Sequence, residues 1–219
     1  MLNPAIAKLT IPPRMANLPL DHRGYPVPKF VAWIDGKADF RCVQPGFVGH
    51  CIRLKRCWLC EQPLGRNMAF VIGPMCAINR TSAEPPSHLD CAHFAVQACP
   101  FMTHPHRKRN SEGLPEDHDK PAGFMIERNP GVCLIWVTRE YHTFSTRAEG
   151  AEPGLLLKLG DPVATEWWAE GRKATREEIM HSINTGLPAL LNMAKLDGPD
   201  AIKALEKEVA KGLALVPTA

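Results

Sequence analysis

Two short segments decide the fold of this chain: Cys57-Trp58-Leu59-Cys60 and, further along, His88-Leu89-Asp90-Cys91. Each segment places two soft metal ligands with two residues between them, so a tight turn or one helical turn can direct both side chains at one ion. Four such donors match the tetrahedral shell of a structural Zn²⁺. The sequence therefore predicts a zinc site made by the outer residues of the two segments: Cys57, Cys60, His88 and Cys91.

The second segment is expected to open a helix. Ser87 is a typical N-cap residue and Pro100 is a typical stop, which predicts a helix from His88 to about Cys99. His88 and Cys91 then share one face of its first turn, where the helix dipole favours a thiolate. His93 lies about 200° around the helix from Cys91 and should face away from the ion. Cys76 stays open as an alternative to His88.

Cys57 and Cys60 are expected on a knuckle whose turn Leu64-Gly65 completes, followed by a hairpin over residues 68–79 and then the helix from His88. This order resembles the treble-clef zinc finger, and the resemblance covers residues 57–99. Longer stretches, which include Arg23–Pro28, Phe70–Cys76 and Glu84–His88, resemble a group of uncharacterised bacterial and phage proteins. This second resemblance implies a prokaryotic or phage setting and brings no activity with it. It leaves open whether the protein acts for a host or for a phage.

Composition limits the class of protein. Of the 219 residues, 45% are hydrophobic and 22% are charged, which is typical of a globular chain. A net charge of +3 gives no strong overall field, and no apolar run reaches the roughly 20 residues that a membrane span needs. In a reducing cytosol, metal binding or plain burial explains the eight cysteines better than a disulfide framework does, and Cys42, Cys51 and Cys133 are expected to be simply buried. We therefore expect a cytoplasmic protein without membrane contact; the oligomeric state stays open.

The pattern of elements predicts an α+β fold with small antiparallel sheets. Residues 1–28 are expected to form an extended N-terminal arm, 29–160 a zinc-stapled core, and 161–219 a helical C-terminal portion packed on that core. Pro162, after Asp161, predicts a helix to about Glu170 that contains Trp167 and Trp168.

The remaining elements are predicted from local signals. Strands are expected at Lys29–Ile34, Ala38–Val43, Met68–Ile72, Met75–Asn79, Gly123–Arg128, Val132–Thr138 and Leu155–Leu159. A helix is expected over Pro45–Arg56. A capping box at Thr175–Glu178 opens a helix that should end at Gly186, and Pro188 and Pro199 should each open another. Trp33 and Trp136, both in strands, are expected in the core.

The sequence favours a binding protein that recognises nucleic acid or another protein. A basic cluster follows the predicted zinc helix, and further arginines flank the predicted hairpin. Cationic side chains of this kind contact phosphates with salt-dependent affinity. The candidate contact residues are Arg66, Arg80, His104, His106, Arg107, Lys108 and Arg109.

A metal-dependent nuclease is the alternative, because His-Asn-His endonucleases share the treble-clef topology. Such enzymes use a histidine as general base and hold a catalytic metal from the helix. Here the helix positions for that metal are His88 and Cys91, and a thiolate suits Zn²⁺ better than Mg²⁺. Asn79 and His93 remain as spare catalytic groups, so the constellation is incomplete.

Overall fold

The computed structural model describes residues 1–107, 110, 112–115, 120–124, 128–146 and 150–218. Within this part the chain is α+β, as the sequence predicts, with helices and small antiparallel sheets. The helices are α1 (Phe47–Leu54), α2 (Pro74–Asn79), α3 (Leu89–Ala98), α4 (Arg176–Asp197) and α5 (Pro199–Leu213). The strands are β1 (Val31–Ile34), β2 (Lys37–Val43), β3 (Met68–Ile72), β4 (Thr81–Ser82), β5 (Cys133–Thr138), β6 (Tyr141–Thr146), β7 (Gly154–Leu159), β8 (Pro162–Ala169) and β9 (Arg172–Lys173).

The central sheet has the strand order β3-β5-β8-β9, and its strands pair antiparallel. Successive side chains of a strand point to opposite faces, so a strand covered on both sides reads as a continuous apolar run. On β5, Ile135 and Val137 pack towards α3, whereas Leu134 and Trp136 belong to a larger core shared with α2, α4 and α5. The sheet is therefore enclosed between α3 and the C-terminal helices.

Helix α3 separates the sheet from a second core. Ala92 and Val96 contact the sheet side, while Cys91, Phe94 and Ala98 belong to a buried cluster that also contains the knuckle cysteines. We call this cluster the metal-site core. The spacing of the two sets along α3 gives the helix two apolar faces, which fix its rotation. The ligand positions on its first turn are thereby fixed relative to the sheet.

The predicted hairpin after the knuckle is wrong in its second strand. Met75–Asn79 is part of the helix α2, because Pro74 follows an extended Gly73 and occupies the first helical turn, where its missing N–H costs nothing. Strand β3 pairs with β5 from a distant part of the sequence. The side chains of Met75 and Ile78 are buried in the larger core.

The helix predicted over residues 161–170 is also wrong, since residues 162–169 form β8. This strand pairs along its length with β5, from Cys133 opposite Trp168 to Thr138 opposite Pro162. Trp167 is buried in the larger core, and Trp168 packs against the opposite side of the sheet. Sheet pairing outweighs the helix-start signal at Asp161-Pro162, and the helical portion begins at Arg176, after the N-cap residue Thr175.

Helix α4 continues through Gly186 and Pro188, where a stop and a restart were predicted. A Cβ on Gly186 would lie 2.9 Å from the Met75 sulfur, so this glycine permits close helix packing and does not end the helix. The predicted strand Gly123–Arg128 includes residues 125–127, which lie outside the described residues. In the described chain the partners of β5 are β3 and β8.

The first 28 residues contain two short 3-10 helices, Pro4–Ile6 and Pro13–Met15, in place of a fully extended arm. Ile6 and Met15 are buried in the metal-site core, so this segment covers that core. Trp33 was expected in the core with Trp136, but it is 51% exposed on the two-stranded β1-β2 hairpin, whereas Trp136 is buried. A sheet of two strands offers little area to cover a side chain of that size.

The capping box that opens α4 is confirmed and predicts a measurable contribution to stability. The Thr175 hydroxyl accepts a hydrogen bond from the Glu178 amide, and the Glu178 carboxylate accepts one from the Thr175 amide. Thr175→Ala should lower the free energy of unfolding by about 1 kcal/mol in urea denaturation. Thr175→Ser, which keeps the hydroxyl, is the matched control; equal stability of the two variants would show that the cap contributes nothing.

Candidate metal centre

The first cysteine pair lies on a tight knuckle closed by backbone hydrogen bonds. Arg56 and Pro63 face each other across a β-bridge, the Cys57 amide donates to the Gln62 carbonyl at 2.9 Å, and the Glu61 amide donates to the Cys57 carbonyl at 2.9 Å. Glu61 has a φ of +62°, the left-handed conformation that completes the turn. The Cys60 amide lies 3.5 Å from the Cys57 sulfur and donates to it. Both sulfurs therefore point to the same side of the knuckle.

The second pair is brought to the knuckle by a short return of the chain along β3. The amides and carbonyls of Ala69 and Ser87 exchange hydrogen bonds at 2.7 and 2.8 Å, and the Trp58 amide donates to the Pro86 carbonyl at 3.0 Å. His88 then caps α3 with an extended backbone, and Cys91 follows on the first turn. The bridge to Ala69 and the hydrogen bond from Trp58 thus fix His88 relative to both the sheet and the knuckle.

The four predicted donors converge. The ligand atoms of Cys57, Cys60, His88 and Cys91 all lie within 4.8 Å of one another. The Nδ1 atom of His88 is 3.4 Å from the Cys60 sulfur and 3.9 Å from the Cys91 sulfur. A tetrahedral zinc with ordinary Zn–S and Zn–N bonds requires about 3.6 Å between sulfur and nitrogen. These residues are therefore placed to hold a metal ion.

The imidazole of His88 is oriented for ligation through Nδ1. Its other nitrogen, Nε2, lies 2.9 Å from the carbonyl oxygen of Pro63, which can only accept a hydrogen bond. Nε2 therefore carries the proton, and the lone pair of Nδ1 points at the three sulfurs. A second hydrogen bond of this kind is the usual way in which proteins fix the tautomer of a metal-binding histidine.

The electrostatics of the three thiols also fit a cation. The pKa of Cys57 is lowered because the thiols of Cys60 and Cys91 donate hydrogen bonds to its sulfur. The hydrogen bond that the Cys60 thiol donates to Cys57 raises the pKa of Cys60 to about 11, although its contact with Cys91 acts in the opposite direction. The contacts of Cys91 with both other sulfurs, together with burial, raise the pKa of Cys91. Without a cation the cluster can carry one thiolate but not three, since their charges would repel at low dielectric. A divalent ion removes that restriction.

The donor set is closed and buried. Cys57 and Cys91 are fully buried, Cys60 is 5% exposed, and His88 is 9% exposed. Four protein ligands complete a tetrahedral shell and leave no position for water or substrate, which is the character of a structural site. A metal ion bound by these four donors would therefore cross-link the knuckle to the start of α3.

The metal-site core packs aromatic rings around the knuckle. Trp58 stacks on Phe30 with ring centroids 4.7 Å apart and contacts Phe47 at 5.6 Å. The Lys29 amide donates to the Leu59 carbonyl at 2.9 Å, which fastens the β1-β2 region to the knuckle. The four donors thus lie where the N-terminal segment, the knuckle and α3 meet.

The other predicted donors lie away from this site. Cys76, the alternative to His88, is on the exposed side of α2 and is not part of the four-donor group. His93 faces away, as predicted, and its Nε2 lies 2.9 Å from a carboxylate oxygen of Glu166 on β8. Glu166 also accepts hydrogen bonds from Lys173 and Trp168. Sequence reasoning missed this partner because β8 was predicted as a helix.

The predicted contact residues lie in different parts of the structure and differ in exposure and in their partners. Arg66 is exposed just before β3, whereas Arg80 lies 2.6 Å from Asp161 and over the Trp136 ring, a structural role. His104, His106 and Arg107 are exposed on a loop after α3; Lys108 and Arg109 lie outside the described residues. The side-chain amide of Asn129 donates to carbonyls of this loop: those of Phe101, His104 and Arg107.

The chain matches no protein-family model, no curated protein and no solved structure. The assignment of the four donors rests on their distances, their burial and the orientation of His88. In the described part of the chain, no helix combines the length and the apolar character that a membrane crossing requires.

Proposed function

We propose that this protein is a zinc-stabilised, non-catalytic binding protein in which the metal holds a recognition surface in shape. The observation that carries the proposal is the closed, buried set of three sulfurs and one oriented imidazole. Thiolate and imidazole donors in a tetrahedral arrangement favour Zn²⁺ over hard cations such as Mg²⁺. The thiols must stay reduced to bind it, which favours a reducing compartment such as the cytoplasm.

The energy of such a site is large enough to decide whether the fold around it forms. Structural zinc contributes about 10–16 kcal/mol of apparent binding free energy in small peptides, and whole domains are stable by about 5–15 kcal/mol. More than half of the buried residues of the metal-site core lie outside α1 and α3, in residues 1–28 and the knuckle. We infer that a treble-clef-like unit, built from the knuckle, β3 and α3, depends on the metal for its shape.

Binding fits this arrangement better than catalysis. Every coordination position is filled by the protein, so the ion has no site at which to activate water. The partner is nucleic acid or another protein, and the exposed residues around the metal centre are the candidate contacts. Elemental analysis of the purified protein tests whether it binds zinc, and the expected result is one zinc per chain.

The basic loop after α3 supplies one prediction about the partner. Replacing Arg107, Lys108 and Arg109 by Ala should leave zinc content and melting temperature unchanged, because these residues contribute no metal ligand. If the loop contacts phosphates, the salt dependence of nucleic-acid binding should weaken by about one unit of slope per lost contact. An unchanged salt-dependent gel shift in the triple variant would remove the loop from the contact surface.

The nuclease alternative makes a different prediction. It requires DNA cleavage that depends on an added divalent ion and is abolished by His93→Ala. The His93–Glu166 contact resembles a histidine oriented by a carboxylate, but Lys173 shares the same carboxylate. In the described residues, the Cys57–Cys91 group is the sole cluster of three or more His, Cys, Asp or Glu donors, and its ligands are used to hold the structural ion.

A further inference from the structure

The positive charge of this chain is concentrated in the segment that contains Cys57 and Cys60. Residues 40–83 contain six of the 26 Lys and Arg residues but one of the 23 Asp and Glu residues, Glu61. The rest of the chain therefore carries 20 basic and 22 acidic residues, a net charge of −2. The overall charge of +3 conceals a strongly basic segment inside a slightly acidic protein. Local charge of this kind attracts polyanions even when the net charge is small.

Four of these basic residues lie beside the knuckle, at the end of α1 and on the two segments that enter and leave the turn. The Leu64 amide donates to the Lys55 carbonyl at 2.9 Å, and Arg56 faces Pro63 across the bridge. Arg53 is in the last turn of α1, just before Lys55, and Arg66 lies two residues beyond Leu64 on the opposite strand. The four residues therefore border one antiparallel ribbon. We call this set the knuckle face: Arg53, Lys55, Arg56 and Arg66.

The charges of the knuckle face are available to a ligand. Arg53, Lys55 and Arg66 are exposed and Arg56 is half-buried. Within the described part of the chain, none of the four forms an ion pair with a carboxylate. Arg80, by contrast, is paired with Asp161. Because no carboxylate engages these cations, phosphate oxygens can contact them without first displacing an ion pair.

The single acidic residue of the segment does not neutralise them. A carboxylate oxygen of Glu61 lies 3.1 Å from His50 Nε2, and the other lies 3.9 Å from Lys29 Nζ. Beside these residues runs an open groove of about 350 Å³, which Arg56 and Gln62 also line. The groove is large enough for a phosphate and its sugar. It gives the knuckle face a concave border on the side of α1.

We infer that the knuckle face binds the phosphodiester backbone of nucleic acid. This inference rests on the proposed function, because it names the class of partner that the metal-supported surface recognises. Arginine presents a planar fork of donors that matches phosphate geometry, and the knuckle face holds three arginines. The knuckle's hydrogen bonds and its two metal ligands hold the ribbon rigid, so little conformational entropy is lost on binding.

The test variant removes three charges and keeps the fold: Arg53→Gln, Lys55→Gln and Arg66→Gln together. All three side chains are exposed and none is a metal donor, so zinc content and melting temperature should match those of the unchanged protein. The matched control removes three equally exposed charges on the C-terminal helices: Lys195→Gln, Lys203→Gln and Lys207→Gln. Binding is measured by fluorescence anisotropy with three oligonucleotides: duplex DNA, single-stranded DNA and RNA. Titrations over a range of salt concentrations give the affinity and the slope of its logarithm against the logarithm of the salt concentration.

The unchanged protein and the control should bind with the same salt dependence. The knuckle variant should bind duplex DNA about 100-fold more weakly near 0.1 M salt, with a slope reduced by about 3, since each phosphate contact contributes about 0.9. Comparison of the three oligonucleotides then shows which form of nucleic acid the surface prefers. The variant of the basic loop shows whether that loop extends the same surface.

Wild-type affinity and slope in the knuckle variant would overturn the inference. Failure of the unchanged protein to bind any of the oligonucleotides would also overturn it, as would equal binding to polyglutamate, which lacks phosphate. In each of these cases the zinc content of the same preparations still tests the proposed function separately. A protein without zinc would contradict the metal centre even if the oligonucleotides bound.

Discussion

Cys91→Ser should abolish metal binding and destabilise the protein by at least about 5 kcal/mol. Cys91 is fully buried at the start of α3, and a serine hydroxyl is a poor ligand for zinc, so the cross-link to the knuckle is lost. The expected loss is part of the roughly 10–16 kcal/mol that structural zinc contributes in peptides. For a chain of this length, 5 kcal/mol corresponds to a fall in melting temperature of about 10–20 °C. Cys57→Ser should behave in the same way.

Two cysteines outside the cluster provide controls for this experiment. Cys42 is buried on β2, and Cys42→Ser tests the ordinary cost of a buried hydroxyl, about 1–3 kcal/mol, with metal retained. Cys76 is exposed on α2, and Cys76→Ser should change neither metal content nor melting. Retention of one metal per chain by Cys91→Ser, with an unchanged melting temperature, would contradict the proposed ligand set.

Removal of the metal from the unchanged protein should loosen one core before the other. The knuckle, α1 and the start of α3 pack in the metal-site core, whereas β5, β8, α4 and α5 pack in the larger core across the sheet. A chelator should therefore abolish the hydrogen-exchange protection of amides at Cys57, Cys60 and Glu61 while the amides of β5 stay protected. The region around the knuckle should lose protection because it has few regular elements, so that the metal cross-link contributes much of its local stability.

The fluorescence of Trp58 offers a second measurement of the same change. Trp58 is buried against Phe30 and next to two ligands, so exposure to water on chelation should shift its emission to longer wavelength. Trp58→Phe is the control, since Trp136 and Trp167 lie in the larger core and should report little change. Uniform loss of protection through the whole chain, or none at all, would contradict the division into two cores.

The sequence predicted the cluster of four donors because the signals for it are local. The two-residue spacings of Cys57 with Cys60 and of His88 with Cys91 determine which side chains can meet, whatever lies between the segments. The helix at residues 89–98, the strand at 68–72 and the capping box at Thr175 followed from similar local signals. The role of Pro63 as the partner of His88 had no such signal, since a backbone carbonyl leaves no trace in a sequence.

Errors arose where distant pairing decides the structure. Residues 162–169 carry a proline that suits a helix start, but the unpaired edge of β5 binds them as a strand. Residues 75–79 belong to α2, because Pro74 occupies its first turn and Met75 and Ile78 are buried in the larger core, while β3 pairs with the distant β5. Trp33 is apolar but lies on a hairpin with one partner strand. Propensity is a weak prior in each case, because tertiary contacts outweigh it.

The sequence contains the basic residues of the knuckle face, but the net charge of the whole chain does not indicate them. Arg53, Lys55 and Arg56 lie just before Cys57 in the sequence. The signal that identifies them is that residues 40–83 contain one acidic residue, Glu61. Counting charges segment by segment identifies these residues. The basic run at residues 107–109 is easier to recognise because its three basic residues are consecutive. The fold adds that Arg66 joins them across the ribbon.

X-ray absorption at the zinc edge of the purified, reduced protein, together with its zinc content, tests the metal centre most directly. We predict one zinc per chain, with three sulfur neighbours at about 2.3 Å and one nitrogen neighbour at about 2.0 Å. A correctly folded protein that contains no zinc, or a zinc shell dominated by oxygen, would contradict the account.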